Sequence, residues 1–514
     1  MAIPSGRYSI PVIVDDVNVK AGSRQWAGLA VLMLPVLLIS IDNTVLSFAL
    51  PEIARNLRPS AAGQLWIVDA YPLVLVGLLV AMGNLGDRFG RRRLLMIGTV
   101  GFGVVSALAA FAPSADLLIA ARMLLGFFGA MLMPSTLSLL RNLFIDRRQR
   151  RLAIAIWAAG FSAGSAIGPV GGGVLLEHFW WGSVVLIAIP VLLPLLVLVP
   201  LLVPESQDPS PGPFDVLSIL LSMAALTPIV YAIKSFATDG VGVVPIVLVA
   251  VGLLSGVFFV RRLLAQPNPM LDMRLFRVPT FSGAVIVNLV SVFSLVGFLY
   301  FLTQHLQLVI GLSPLNAALV LIPGVVIIIV TGLLAVPLVR IVRPGFVMAA
   351  GLGLSFTAYT MTAMIGSAST VTTLVFAFCL LGAGIGAAET LSNDMVIASV
   401  PPEKAGAASG VSETAYELGA VLGTAVLGSI LAAFYRSSIV VPNGVSAVDA
   451  QAARDTLGGA VEVSSALPGG VGETLLQSAR SAFDSGVTVT SWFAAAMMIV
   501  AITVTLLTLR KARG

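Results

Sequence analysis

Residues 65–112 read LWIVDAYPLVLVGLLVAMGNLGDRFGRRRLLMIGTVGFGVVSALAAFA. Two apolar runs, 65–85 and 94–112, flank Gly83-Asn84-Leu85-Gly86-Asp87-Arg88-Phe89-Gly90-Arg91-Arg92-Arg93, which crowds glycine, acid and arginine together. A helix crossing a hydrocarbon layer of about 30 Å needs about 20 apolar residues, because backbone N–H and C=O groups find no water there. Both runs approach that length, and the arginines between them mark a loop that stays in water.

Working outward, the same alternation repeats to about fourteen apolar runs. It predicts an all-α polytopic membrane protein. Of the 514 residues, 58% are hydrophobic and 10% charged, with a mean hydropathy of +1.02, whereas a soluble domain is about a quarter charged. A water-soluble globule and a disordered chain are excluded, and the single cysteine, Cys379, excludes a disulfide scaffold. Residues 1–24 carry Asp15 and Asp16 and lack the short apolar core of a secretory signal.

Basic residues settle orientation, since loops on the cytoplasmic side retain Lys and Arg. With both termini inside, 22 of the 29 fall in cytoplasmic segments. Six (Arg55, Arg58, Lys234, Arg436, Arg454 and Arg480) fall in outer loops, and Arg122 falls within a span. The formal charge of +5 is therefore a topology signal, and no nucleic-acid role follows from it. The domain reading is a tail at 1–24, a six-helix bundle at 25–203, a cytoplasmic linker at 204–213, two inserted helices at 214–263 and a loop at 264–280. A second six-helix bundle follows at 281–509, then a tail at 510–514. The linker holds four prolines in ten residues, which no helix continues through. Segment 434–486, outside, reads as a partly ordered loop or short hairpin.

Two glycine motifs stand out. In the first, Gly83, Gly86 and Gly90 permit tight turns while Asp87, Arg88 and Arg91 pair across helix ends. In the second, Gly164, Gly168, Pro169, Gly172 and Gly173 combine four-residue spacing of small residues with a proline kink. That suits a close-packed interface that moves.

Charges within spans read as functional, because a carboxylate at mid-bilayer costs about 2.5 to 3.5 kcal/mol on the mildest scale. At 1.5 Å per residue, Asp42, Arg122 and Asp69 lie about 12, 9 and 6 Å from the outer ends of their spans. Arg122 is expected to hold or release ionised Asp42 as the cavity changes sides; a static ion pair is the alternative. Two acids around one base leave surplus negative charge, which favours proton exchange or cation binding. Glu413 and Glu417 share a helix face around Tyr416, so the pair is expected to bind a lipophilic cation when it ionises. Glu389 is deep enough to face the cavity, whereas Asp394, about 140° away on the helix wheel, reaches cytoplasmic water. Phe161, beside the kink, and Tyr416 are the aromatic candidates for stacking on a flat cation, with Trp66, Trp157, Tyr231, Tyr300, Phe356 and Tyr359 read as packing or interface residues. His178 and His305 have no partner at metal spacing, and no metal is expected. No Gly-x-x-x-x-Gly-Lys-Ser/Thr loop exists, so ATP is not the expected energy source.

These residues together resemble the major facilitator superfamily. Gly83–Arg93 is similar to its motif A, Leu118–Ala130 with Arg122 and Gly126 to motif B, Gly168–Gly173 to the antiporter motif C, and Ile41–Pro51 to the first-span motif of drug:proton antiporters. Gln64–Asp69, Pro134–Ser138, Gln307 with Gly311–Leu315, and Ser412–Gly419 bring it close to the fourteen-span multidrug exporters. Ala188 stands where that branch usually has asparagine, and Val325–Ile329 lacks the acid that some members carry.

The resemblance implies a major facilitator fold arranged 6 + 2 + 6 in a bacterial plasma membrane, acting as a monomer without cofactor. It implies a secondary transporter, not an enzyme, that exchanges inward protons for outward amphipathic cations, quaternary ammonium compounds among them. Export of an endogenous lipid or metabolite, or a non-transporting sensor or scaffold, are the alternatives.

Overall fold

Helices begin where the sequence supplies caps. Ser60, Ser114, Asp146, Ser313 and Thr370 each accept a backbone N–H from the first turn that follows, and Pro279, Pro314 and Pro344 stand at helix starts, where no N–H is required. The computed structural model describes residues 21–207, 215–239, 242–267, 269, 272–400 and 405–509, apart from some side chains within helices. The predicted tails, but for residues 21–24, and linker residues 208–213 lie outside the described residues.

The first six spans are α1 (Ser23–Leu32) with α2 (Leu34–Leu57), α3 (Ala61–Phe89), α4 (Arg91–Ala110), α5 (Ala115–Leu143), α6 (Arg147–His178), and α7 (Ser183–Leu186) with α8 (Ala188–Leu202). Two inserted spans follow, α9 (Val216–Asp239) and α10 (Val243–Ala265). The second bundle holds α11 (Pro279–Gln304), extended by a π turn over His305–Val309, then α12 (Pro314–Leu338), α13 (Pro344–Ile365) and α14 (Val371–Ala398). α15 (Ala405–Leu422) runs through a second π turn, Gly423–Gly428, into α16 (Ser429–Ser438). A helical hairpin, α17 (Ala447–Asp455) and α18 (Leu457–Ala466), precedes α19 (Gly469–Leu509). Among the described residues thirteen helices are long and apolar enough to cross a membrane; α6, with 32 residues, is a further helix of crossing length. No strand occurs among the described residues.

The segment 434–486 is more ordered than the sequence suggests. Ser446 and Thr456 cap α17 and α18, and the Tyr435 hydroxyl donates to the Ala453 carbonyl at 2.8 Å. Its last third belongs to α19, whose 41 residues span about 60 Å. Weak local patterning concealed this order, because the hairpin is held by contacts with distant helices: Arg58 pairs with Glu462, and Gly458 lies against Ala54.

The molecule thus has an arginine-rich end, where α3 turns into α4, and a hairpin end. Close approaches between the two bundles gather at the hairpin end. Gln307 donates to the Phe48 carbonyl at 3.2 Å, Ser313 to Glu177 at 3.5 Å, and Gly428 lies against Leu65. α9 and α10 pack on each other and, through α9, on α3. The outer face of α10 exposes Val243, Val247, Leu254 and Phe258, an apolar surface suited to lipid.

Candidate functional site

At the arginine-rich end, Gly90 adopts φ +110°, a conformation open to glycine, and the chain reverses directly into α4. Arg91 donates to Asp87 at 2.8 Å. Glu205, from the linker after α8, accepts the backbone N–H groups of Arg92 and Arg93 at 2.9 and 3.1 Å. A carboxylate on the positive end of α4 is favourable twice, as a cap and as a charge on the helix dipole. Arg91 also donates to Ser206 at 3.2 Å and Arg92 to the Val203 carbonyl at 3.1 Å. Motif A is therefore clamped within the first bundle. Glu205 was invisible to pattern reading because it sits in a proline-rich linker. Arg88 is exposed, and Gly83 and Gly86 approach Pro134 and Ser135 of α5.

The second glycine motif forms a seam between α6 and α2. A Cβ at Gly164 would lie 2.7 Å from Ser40 Cβ and 2.9 Å from the Leu37 carbonyl, Gly168 lies against Thr44, and Gly172 against Val45. Gly160, one step earlier, meets Met33 and Val36 and extends the stripe. Gly173 points elsewhere: its Cβ would lie 2.8 Å from the Leu315 Cα of α12, in the other bundle. The motif joins both an internal seam and the contact between bundles. The side chain of Phe161 lies outside the described residues.

The seam places Asp42 beside Arg122. The guanidinium of Arg122, 1% exposed, donates to the two oxygens of Asp42 at 2.9 and 2.7 Å and to the Ile67 carbonyl at 3.2 Å. The Tyr71 ring lies 4.7 Å below it. Gly126, on the same helix as Arg122, abuts the Tyr71 carbonyl.

Asp69 does not join that pair. Its partner is Lys234 of α9 at 2.9 Å, with the two side chains 0% and 1% exposed, and the Lys234 ammonium lies 3.8 Å from the centre of the Trp66 ring. Two acids around one base is thus corrected to two buried ion pairs. Lys234, assigned to an outer loop, lies inside α9 because the helix continues past it to Asp239. The sequence signal was one lysine at the very edge of an apolar run.

Opposite Asp42, α15 presents Glu413 and Glu417, and α14 presents Glu389. Glu417 is 1% exposed and faces Asn43 and Asp42 of α2, while Glu389 and Glu413 lie within electrostatic reach of each other. Tyr416 lies among all three glutamates. Asp394 is exposed, while its neighbour Asn393 joins Asn288 and Ser412. Asn288 donates to Asn393 at 3.1 Å and to the Ser412 hydroxyl at 2.8 Å. This polar knot fixes the rotation of α15 immediately before Glu413. Trp157 and Tyr359 donate to Thr136 and to the Ser294 carbonyl. No cluster of metal-binding type occurs among the described residues.

The arrangement supplies a charge-compensated pair in one bundle and, facing it, three carboxylates for which no paired base is seen among the described residues. Such groups accept either protons or a cationic guest, because an isolated carboxylate away from water is unfavourable.

The family model described as Major Facilitator Superfamily matches residues 32–424. The chain is 56% identical over 482 residues, 94% of its length and 96% of the relative's, to the multidrug efflux pump LfrA of Mycolicibacterium smegmatis. It is 37% identical over 462 residues, 90% of its length and 93% of the relative's, to the methyl viologen resistance protein SmvA of Salmonella typhimurium. Among solved structures, a bacterial homolog of the human lysosomal transporter Spinster, inward-facing and unoccupied, aligns with a TM-score of 0.65 at 18% identity, covering 95% of this chain and 99% of that one.

Proposed function

The chain belongs to the Major Facilitator Superfamily, a family of multi-pass membrane transporters and not enzymes, and from that premise we propose that it is a proton-driven antiporter exporting amphipathic, often cationic drugs. The observation that carries the reading is the buried Asp42–Arg122 pair in one bundle faced by Glu417 of the other, with Glu413 within electrostatic reach of Glu417 and Glu389 within reach of Glu413. The relatives' names, multidrug efflux pump and methyl viologen resistance protein, support it; methyl viologen is a flat aromatic dication.

In this reading the arginine-rich end is cytoplasmic, in keeping with retention of basic loops. The bundle contacts at the hairpin end then close the outer side, and the cavity opens inward. A cationic drug enters from the cytoplasm, its charge met by Glu413 and Glu417 and its flat face by Tyr416. Export leaves the carboxylates to be recharged by protons from outside. Protonation of Asp42 releases Arg122, which otherwise holds the carboxylate in place. Exchange of one proton for a singly charged drug moves no net charge and is driven by the pH difference, about 1.4 kcal/mol per unit; a further proton adds about 2.3 kcal/mol per 100 mV, all without ATP. Gly83, Gly86 and Gly90 with Asp87, Arg88 and Arg91 brace the first bundle as it rocks, and the α2–α6 seam transmits the state of Asp42. No cofactor beyond the coupling proton is involved, and one chain contains the whole path.

The test is Asp42→Asn in liposomes. It should abolish ethidium transport driven by an imposed pH difference while insertion and dye binding persist, and an uncoupler should stop transport by the parent protein. Undiminished proton-driven transport by the variant overturns the assignment.

A further inference from the structure

We propose that Lys234 is a working part of the transporter: it is the counter-charge of Asp69, and the breaking and remaking of that pair ties the inserted hairpin α9–α10 to the alternation of the two bundles. This rests on the proton-antiport reading and extends the coupling machinery to a helix outside both bundles.

Three bodies meet at this pair. Asp69 comes from α3 of the first bundle and Lys234 from the inserted α9, while Thr424, in the π turn of the second bundle, faces the carboxylate. Around them Leu73, Val230, Val421 and Ala425 form a separate apolar cluster drawn from the same three bodies, with Trp66, Leu226 and Ile233 packed against it. The setting is dry, so the two charges stay together only as a pair; drawing an ammonium away from a bare carboxylate there is prohibitive. Separation becomes feasible when the carboxyl takes a proton. The ammonium then keeps a second partner, the Trp66 ring 3.8 Å away, by cation–π attraction. The Trp66–Tyr231 contact, with ring centres 6.0 Å apart, holds that indole on α9.

Tyr300 of α11 lies within electrostatic reach of Asp69, and Arg122 grips the Ile67 carbonyl two residues before Asp69. Arg436 of α16 pairs instead with Asp455 at 3.9 Å. The Arg122 contact matters, because both buried ion pairs thereby hang on one turn of α3: release of Arg122 from Asp42 loosens the turn that presents Asp69. The base of the hairpin is separately locked, with Asp215 accepting from Arg262 at 2.9 Å, so α9 and α10 respond as a unit. One proton binds Asp69 as the pair opens and leaves as it closes, and no other reactant is needed.

The experiment compares purified parent, Lys234→Met, Lys234→Arg and the double variant Asp69→Asn with Lys234→Met in liposomes, reading ethidium transport against pH with and without an uncoupler. Lys234→Met should lower proton-driven transport at least tenfold and displace the midpoint of the pH profile by about one unit or more, a tenfold change in proton affinity at a carboxyl robbed of a neighbouring charge. Lys234→Arg should restore most of the rate and the parental midpoint. The double variant, which buries no net charge and therefore folds, should bind ethidium normally yet lose that pH-dependent component. If Lys234→Met, or the double variant where the single one fails to insert, retains the parental rate and pH profile, the proposal is overturned. If the parent itself shows no uncoupler-sensitive transport, it is the antiport reading that fails instead.

Discussion

Gly173 offers a perturbation that distinguishes one conformational state from the fold itself. Its Cβ position is 2.8 Å from the Leu315 Cα and 3.2 Å from the Leu315 nitrogen and the Pro314 carbonyl, all backbone atoms at the start of α12. Ordinary contact begins near 3.4 Å, so alanine forces α6 and α12 apart by about 0.6 Å, with no flexible side chain to yield. Overpacking of this kind costs about 1–3 kcal/mol. Because α6 and α12 belong to different bundles, on the alternation proposed above that penalty falls on the state closed at the hairpin end and spares the open one, shifting their ratio roughly 5- to 150-fold. The readout is oxidative cross-linking of Glu177→Cys to Ser313→Cys, whose parent side chains lie 3.5 Å apart, in a Cys379→Ser background free of other thiols. Gly173→Ala should cut cross-linking by at least fivefold and slow drug transport. Gly164→Ala, which crowds only the α2–α6 seam, should lower thermal stability and leave cross-linking of the folded protein unchanged. Equal cross-linking in parent and Gly173→Ala would refute the reasoning.

Two further outcomes follow from the site and the hairpin base. Glu413→Gln should weaken transport of cationic dyes at least tenfold more than that of neutral compounds in a mixed-dye liposome assay, with equal losses arguing against a cation site. Arg262, with Ser218 and Gln266 adding to it against the opposing effect of burial, holds the Asp215 carboxyl well below the usual carboxylate range. A lowered value in the folded state stabilises above the unfolded value near 4 and is lost as pH falls through the folded value. Asp215→Asn should therefore cost about 1–2 kcal/mol, discounted for the part-exposed Arg262. The deficit in thermal midpoint should stay constant from pH 5 to 9 and shrink below pH 4.

The spans were legible because hydrocarbon leaves a chain little choice: 20 apolar residues between arginine clusters admit one reading. Asp42 and Arg122 were legible as charges that have no other reason to lie within spans, and similar depth suggested that they meet. Depth alone does not fix azimuth, however, so Asp69 was placed near Arg122 although α3 turns it toward α9. Lys234 was misplaced because a lysine at the edge of an apolar run reads equally as the end of a helix and as its last buried turn. Glu205 lay beyond reach for a related reason, since the N–H groups it caps are over a hundred positions away. The hairpin α17–α18 carries few large apolar residues of its own, and its order comes from surfaces that only the assembled helices create.

α19 has a practical consequence. An unbroken helix of about 60 Å is twice as tall as the oily slab it crosses, so its first turns rise beyond the slab like a mast stayed by its neighbours, with Leu475, Ala479 and Phe483 buried against them. Leu467 and Pro468, where the chain turns from α18 into the mast, are natural grafting points for a rigid fusion partner. A partner there would enlarge a small, nearly featureless particle for image alignment. If the bundles rock as proposed, it would also swing with them, turning a tilt of a few degrees at the base into a displacement of several ångströms at the tip.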